Sequence, residues 1–128
     1  MASNIDLLSS AAATGNVQRV TELLTEDKVD PNQRNSYGRT PIQVMMMGSP
    51  QIARLLIQHG AEPSLPDPAT GTSPAHDAIR EGFLDTLSEL LAGGASVYSP
   101  RDKWGQRPID LASIRVRQQL IQQNIISG

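Results

Sequence analysis

The sequence predicts a mostly α-helical solenoid of four stacked helix-turn-helix units. Two observations carry this. Thr40-Pro41, Ser73-Pro74 and Arg107-Pro108 recur 33 and 34 residues apart, and each proline follows a glycine at the same offset: Gly38, Gly71 and Gly105. Between these frames the apolar residues fall at helical spacing, in two short runs per unit. A helical hairpin of this size cannot bury its apolar face alone, so the units stack and present one long concave surface. Such a surface suits holding another protein better than it suits chemistry.

A period of about 33 residues on a T-P-L-H-x-A core is the ankyrin signature, a turn plus two antiparallel helices. The frame divides a single domain, residues 1–128, into units at about 4–34, 35–65, 66–99 and 100–124, joined by β-hairpin-like loops. Unit one carries Leu7, Leu8, Ala11 and Ala12 on a first helix that stops near Gly15, a residue suited to a left-handed helix end, then Val17, Val20, Leu23 and Leu24 on a second. Lacking a Thr-Pro start, it reads as the N-terminal cap. Its exit loop, Thr25 to Asn32, has no Gly-Ala and is one residue longer than its counterparts.

Unit two opens with Tyr37-Gly38-Arg39-Thr40-Pro41, which places proline at the first helical position, where its missing N–H is harmless. Its proline and following glycine (Pro41, Gly48) are one residue closer than those of unit three (Pro74, Gly82). One lost residue rotates everything after it by roughly 100° around a helix. The expected first helix of unit two is therefore a single distorted or 3₁₀-like turn. Ile52, Leu55, Leu56 and Ile57 form its second helix. Unit three is the regular one, with Pro74 to Ile79, then Leu84, Leu87, Leu90 and Leu91, then Gly94-Ala95. Unit four starts from Trp104-Gly105-Gln106-Arg107-Pro108, with Ile109, Leu111 and Ala112 on its first helix. No glycine follows at the place of Gly82, so a truncated second helix and a frayed end over Gln122 to Gly128 are expected.

Composition agrees with one small domain. Eleven basic and thirteen acidic residues leave a net charge of −2, and nothing in that total suggests nucleic acid. With no cysteine, neither a disulfide framework nor a thiolate zinc site is available, which fits a reducing compartment. The opening residues carry neither a basic region nor a long apolar run, so no signal peptide is expected, and Val44 to Met47 is far too short to span a bilayer. Four aromatic residues leave the core to aliphatic side chains and alanine.

Function tends to sit where a repeat breaks its own pattern. Asp77 stands where units two and four carry Val44 and Leu111. An unpaired buried carboxylate is unfavourable, so Asp77 faces water or a cation. Arg80, three residues on, can make it a solvated pair, or both can join a charge cluster facing a partner. Met45-Met46-Met47 cannot all be core, since three adjacent side chains point three ways. They either fill gaps in an irregular turn or expose a flexible binding surface. Residues 61–91 hold Glu62, Asp67, Asp77, Glu81, Asp85 and Glu89 against Arg80 alone, whereas unit four is net positive. An acidic centre would steer a basic partner surface.

Catalytic chemistry finds little support. His76 occupies the histidine position of the T-P-L-H frame and reads as structural, and His59 sits at a helix end where a cation is mildly favoured. No metal-ligand spacing, phosphate loop or nucleophile elbow is present, and no cofactor is implied. Asp77 and Glu81 form a carboxylate pair one turn apart on an open surface, a poor setting for acid–base work. The basic residues around Trp104 are few and interrupted by acids, unlike a nucleic-acid patch.

The stretch from Asn35 to Ser49, with its Met triplet, resembles the second repeat of the small ankyrin inhibitors of cyclin-dependent kinases 4 and 6. So do His59-Gly60-Ala61-Glu62-Pro63, Asp67-Pro68-Ala69-Thr70, His76-Asp77-Ala78, and Arg80 through Leu87. The likeness covers about residues 5–112 and is nearest to the four-repeat, cyclin-dependent kinase inhibitor 2A and 2B type. It implies a non-enzymatic, monomeric protein of cytoplasm and nucleus. Such a protein binds the catalytic subunit of kinases 4 and 6, distorts it, disfavours cyclin D association and restrains passage from the first gap phase. It binds neither nucleic acid nor membrane. Position by position, the resemblance implies Tyr37, Gln43, Met45, Met46, Glu62, Asp67, His76, Asp77, Arg80, Phe83 and Asp85 as kinase-facing. Tyr37, His76 and Phe83 can alternatively be structural. The chain departs from the family pattern in the loop Asp27 to Asp30, in a Gly94 to Trp104 stretch one residue longer than usual, and in unit four. Four imperfect repeats also imply low stability.

Overall fold

The computed structural model describes residues 3–128, and the opening Met1-Ala2 lies outside them. Seven α-helices follow in pairs: α1 (Asn4–Thr14) and α2 (Val17–Thr25), α3 (Pro41–Val44) and α4 (Pro50–Gln58), α5 (Pro74–Glu81) and α6 (Leu84–Ala92), then a 3₁₀ turn (Pro108–Leu111) and α7 (Ile114–Gln122). No described residue lies in a β-strand. The inner elements stack α1 on α3 and α5 on the 3₁₀ turn, and the outer helices stack α2 on α4 and α4 on α6. One aliphatic core runs through the stack, with Leu8, Leu23, Ile42, Ile52, Leu56, Ile79, Leu87, Leu90 and Leu120 fully buried and no aromatic residue among the buried set. No described helix is long and apolar enough to cross a membrane.

The helices begin where side chains satisfy their free N–H groups. Ser3, Asn16, Ser49 and Ser113 each accept a backbone N–H from inside the helix they precede. Each inner element of units two to four opens instead with a side chain, two residues after the proline, that reaches back to accept the N–H of the residue before the proline. Gln43 accepts the Thr40 N–H at 2.7 Å, His76 accepts the Ser73 N–H at 2.9 Å, and Asp110 accepts the Arg107 N–H at 2.8 Å.

That same residue also ties each unit to the next. Gln43 Nε2 donates to the carbonyls of Leu65 and Pro66 at 3.2 and 3.0 Å. His76 Nε2 lies 2.8 Å from the Gln106 carbonyl oxygen, 30 residues on, which fixes the Nε2–H tautomer because Nδ1 is already an acceptor. Among the described residues no further hairpin follows unit four. The acceptor-only carboxylate of Asp110 turns back to the Arg107 guanidinium.

The connecting loops are narrow hydrogen-bonded turns, each pinned by an Asx side chain at its first position. Asn35 Oδ1 accepts the N–H groups of Tyr37 and Arg39, Asp67 Oδ1 those of Ala69 and Thr70, and Asp102 Oδ1 those of Trp104 and Gln106. Hairpins two and three touch directly through the Lys103 N–H and Thr70 carbonyl at 3.0 Å. In the loop after unit one, Lys28 takes the left-handed conformation (φ 51°) that Gly60 and Gly94 take after units two and three. Val29, buried, fills the place of Ala61.

Two expectations for unit four are overturned. Its second helix is not truncated: α7 runs nine residues, as long as α4 and α6, capped by Ser113 with Val116 and Leu120 inside. The shortening falls on the first helix, which is reduced to the 3₁₀ turn. The chain end is not frayed either. Asn124 turns left-handed (φ 58°) as Gly60 and Gly94 do, the Ile125 N–H donates to the Leu120 carbonyl at 2.9 Å, and Ile126 is buried. The shortened first helix of unit two is as expected: α3 is a single turn, and Met45 leaves it in an extended conformation (ψ 157°).

Candidate functional site

The regular inner helix is α5, which ends on left-handed Gly82 (φ 79°). Its inner neighbour α3 is one turn long, so α5 lacks a full-length partner on that side. Asp77 sits here. Its side chain is about a quarter exposed (28%), and its Oδ1 accepts a hydrogen bond from Arg80 at 2.7 Å. Burial pushes the Asp77 carboxyl above the ordinary carboxylate value, while the Arg80 charge pulls it back and nearby Asp67 pushes it further up. Arg80, half exposed, also lies 3.6 Å from Glu81. The arrangement is a partly dehydrated carboxylate whose single cationic partner is solvent-accessible and exchangeable. A cation from another molecule could replace or share that partner.

The other expected residues divide by exposure. Tyr37 stands at the tip of hairpin one, 79% exposed. Met46 is exposed after α3, Glu62 is exposed beside the loop pinned by Asn32, and Asp85 is exposed in the first turn of α6. Phe83, 40% exposed, lays its ring against Gly48, whose added Cβ would meet it at 3.5 Å. These exposed side chains come from hairpin one, from the segments after α3 and α4, and from the turn between α5 and α6.

Four expected residues are differently placed. Met45 is buried, because the residue leaving α3 in extended conformation points its side chain into the core. His76 has no exposed surface; both its ring nitrogens are spent on Ser73 and Gln106. These two corrections leave their side chains unavailable to a partner. Gln43 is committed to Thr40 and hairpin two. Asp67 is held by a two-pronged pair with Arg39, Nε to Oδ2 at 2.6 Å and Nη2 to Oδ1 at 3.2 Å, which lowers its pKa to about 2. Arg39 was not expected at the site. Its place immediately before Thr40-Pro41, opposite the acidic start of the next hairpin, is the signal that could have found it.

Among the described residues no group of side chains is placed to hold a metal ion. Residues 7–101 match the family described as ankyrin repeats (3 copies). Cyclin-dependent kinase 4 inhibitor B of Bos taurus is 56% identical over 108 residues, covering 84% of this chain and 81% of its own length. Cyclin-dependent kinase inhibitor 2A of Homo sapiens is 56% identical over 112 residues, covering 88% of this chain and 70% of its own length. Cyclin-dependent kinase 4 inhibitor B of Mus musculus is 58% identical over 105 residues, covering 82% and 79%. The chain belongs to the ankyrin-repeat cyclin-dependent kinase inhibitors. The three-copy ankyrin match ends at residue 101, before the 3₁₀ turn and α7, which agrees with the atypical fourth unit.

Proposed function

We propose that this chain binds the catalytic subunits of cyclin-dependent kinases 4 and 6 as a monomer, in cytoplasm and nucleus, and inhibits them. The observation that supports this most is Asp77: a half-buried carboxylate on an inner helix where the equivalent residues of units two and four are apolar, paired only with half-exposed Arg80. The first turn of α5 and the Arg80 pair favour a carboxylate there only weakly and burial opposes its charge, whereas a cationic patch on a kinase lobe would complete it. Tyr37, Met46, Glu62, Phe83 and Asp85 extend the contact around it, with Arg80 free to meet an acidic group once Asp77 takes a new partner. Gln43, Asp67, Met45 and His76 serve the surface indirectly, by fixing the spacing of the units that carry it.

Inhibition follows from linkage. A protein that binds a distorted kinase better than the cyclin-ready form shifts the kinase toward the former, and cyclin D binding is weakened by the same factor. The cellular outcome is restraint of the passage out of the first gap phase. Capture of isolated kinases 4 and 6 with kinase 2 as control tests the proposal. Selective capture is expected, and capture of none would replace it with an adaptor for an unrelated partner.

A further inference from the structure

We infer that Met46 is a sulfoxidation site through which a peroxide loosens the first repeat from the second. The chain has four methionines and no cysteine, so thioethers are its most readily oxidised groups. Met1 lies outside the described residues. Of the three adjacent methionines, Met45 is buried (5% exposed), Met47 packs against the core, and only Met46 is open to solvent (47% exposed).

The Met46 side chain lies across Gly15, the left-handed residue that ends α1. A methyl group added to Gly15 would fall 2.8 Å from the Met46 Sδ and 2.9 Å from its Cε. The backbone cannot easily yield. The Met46 N–H donates to the Ala12 carbonyl at 2.8 Å, and its own carbonyl accepts from the Ser49 N–H at 3.1 Å. The thioether thus covers the end of α1 at the point where α1 and α3 stack.

In the oxidation the sulfur attacks one peroxide oxygen. The O–O bond breaks, an S–O bond forms, sulfur gives up two electrons, and water leaves with both peroxide protons. The product is larger, polar and chiral. The face of the sulfur toward Gly15 is in close contact with it, so the oxygen is added from the solvent side, and hydration of the polar S–O group draws the flexible side chain outward and uncovers the α1 terminus. On the kinase-inhibitor reading Met46 also belongs to the binding surface, so the same modification weakens kinase capture; that last consequence rests on that reading.

The test treats the full chain with graded hydrogen peroxide, maps sulfoxide by peptide mass spectrometry, and follows the melt by circular dichroism. Met46 is expected to react about tenfold faster than Met45, with Met47 between them. Full conversion at Met46 is expected to lower the melting temperature by about 3–5 °C, and methionine sulfoxide reductase is expected to restore it. The Met46→Leu protein is expected to show no such shift under the same peroxide. Equal rates at all three methionines, or an unchanged melt after stoichiometric conversion at Met46, overturns the inference. Should Met46→Leu not fold, the order of oxidation and the reductase reversal in the natural chain decide. If the untreated chain captures no kinase, the functional proposal fails while these two readouts still judge the oxidation site.

Discussion

Units two and three open with the same frame and close with the same Gly-Ala, yet one has an inner helix of four residues and the other of eight. In unit three the chain reaches Gly82 in phase with the helix, and the glycine turns left-handed to end it. In unit two Gly48 comes one residue early. It takes no left-handed conformation, and the helix stops at Val44 instead. A single missing residue therefore moves a helix end by a whole turn, because the ending needs the glycine at a fixed phase rather than merely nearby. The consequence is functional. The clipped helix throws one methionine into the core and one onto the surface, and leaves the flank of α5 with Asp77 short of a neighbour.

The two units hold their successors by the same device in different surroundings, which gives the largest expected effect. His76→Ala empties a fully buried site and leaves the buried Ser73 N–H without a partner, with the partly buried Gln106 carbonyl losing its donor as well, a loss of about 3 kcal/mol. Gln43→Ala removes an equivalent set of bonds where water can replace them, a loss of about 1 kcal/mol. Urea denaturation midpoints compare the two; equal losses would break the parallel. The same series reports overall stability, expected well short of the hyperstable range.

The repeat count, the single turn of α3, the aliphatic core and the irregular, longer loop after unit one were legible because proline and glycine mark phase in the sequence. Unit four is misleading for the same reason. With no glycine to mark the end of its inner element, the sequence points to a short second helix instead of a short first one. Ser113 as N-cap and Asn124 as a left-handed substitute carried the correct boundaries. At the site, exposure separated residues that a list by resemblance could not. His76 and Met45 lie within one or two positions of surface residues, and only the local backbone direction decides which side chain goes in.

The junction between units two and three depends on pH through Asp67. Its folded pKa of about 2 is lower than that of the unfolded chain, so the Arg39 pair adds stability that is fully present above about pH 4 and is lost as pH falls toward 2. With solvent screening the term is about 1 kcal/mol. Asp67→Asn is expected to flatten that part of the pH–stability curve; an unchanged curve would assign the acid loss to the other lowered carboxylates, Asp6, Glu89 and Asp110.

The exit loops of units one and two differ by Lys28 against Gly60. Lys28 pays the left-handed penalty that glycine avoids, so Lys28→Gly is expected to stabilise by about 0.5 kcal/mol in thermal or urea unfolding. Destabilisation would mean that this longer loop does not use the residue as the others use glycine.

Asp77 has the smallest expected effect on folding and the opposite sign to Asp67. Its folded pKa is raised, so the fold favours the protonated form and loses stability as pH rises through the carboxylate range. Asp77→Asn is therefore expected to leave the neutral-pH melt unchanged or slightly higher. The decisive measurement is capture of the isolated catalytic subunits of cyclin-dependent kinases 4 and 6 by the natural chain and by Asp77→Asn, with both melts recorded. Selective capture that falls at least about tenfold in the variant, about 1.4 kcal/mol, while the melt holds is the predicted result. Undiminished capture by Asp77→Asn, or a collapsed melt, would contradict a partner-facing carboxylate.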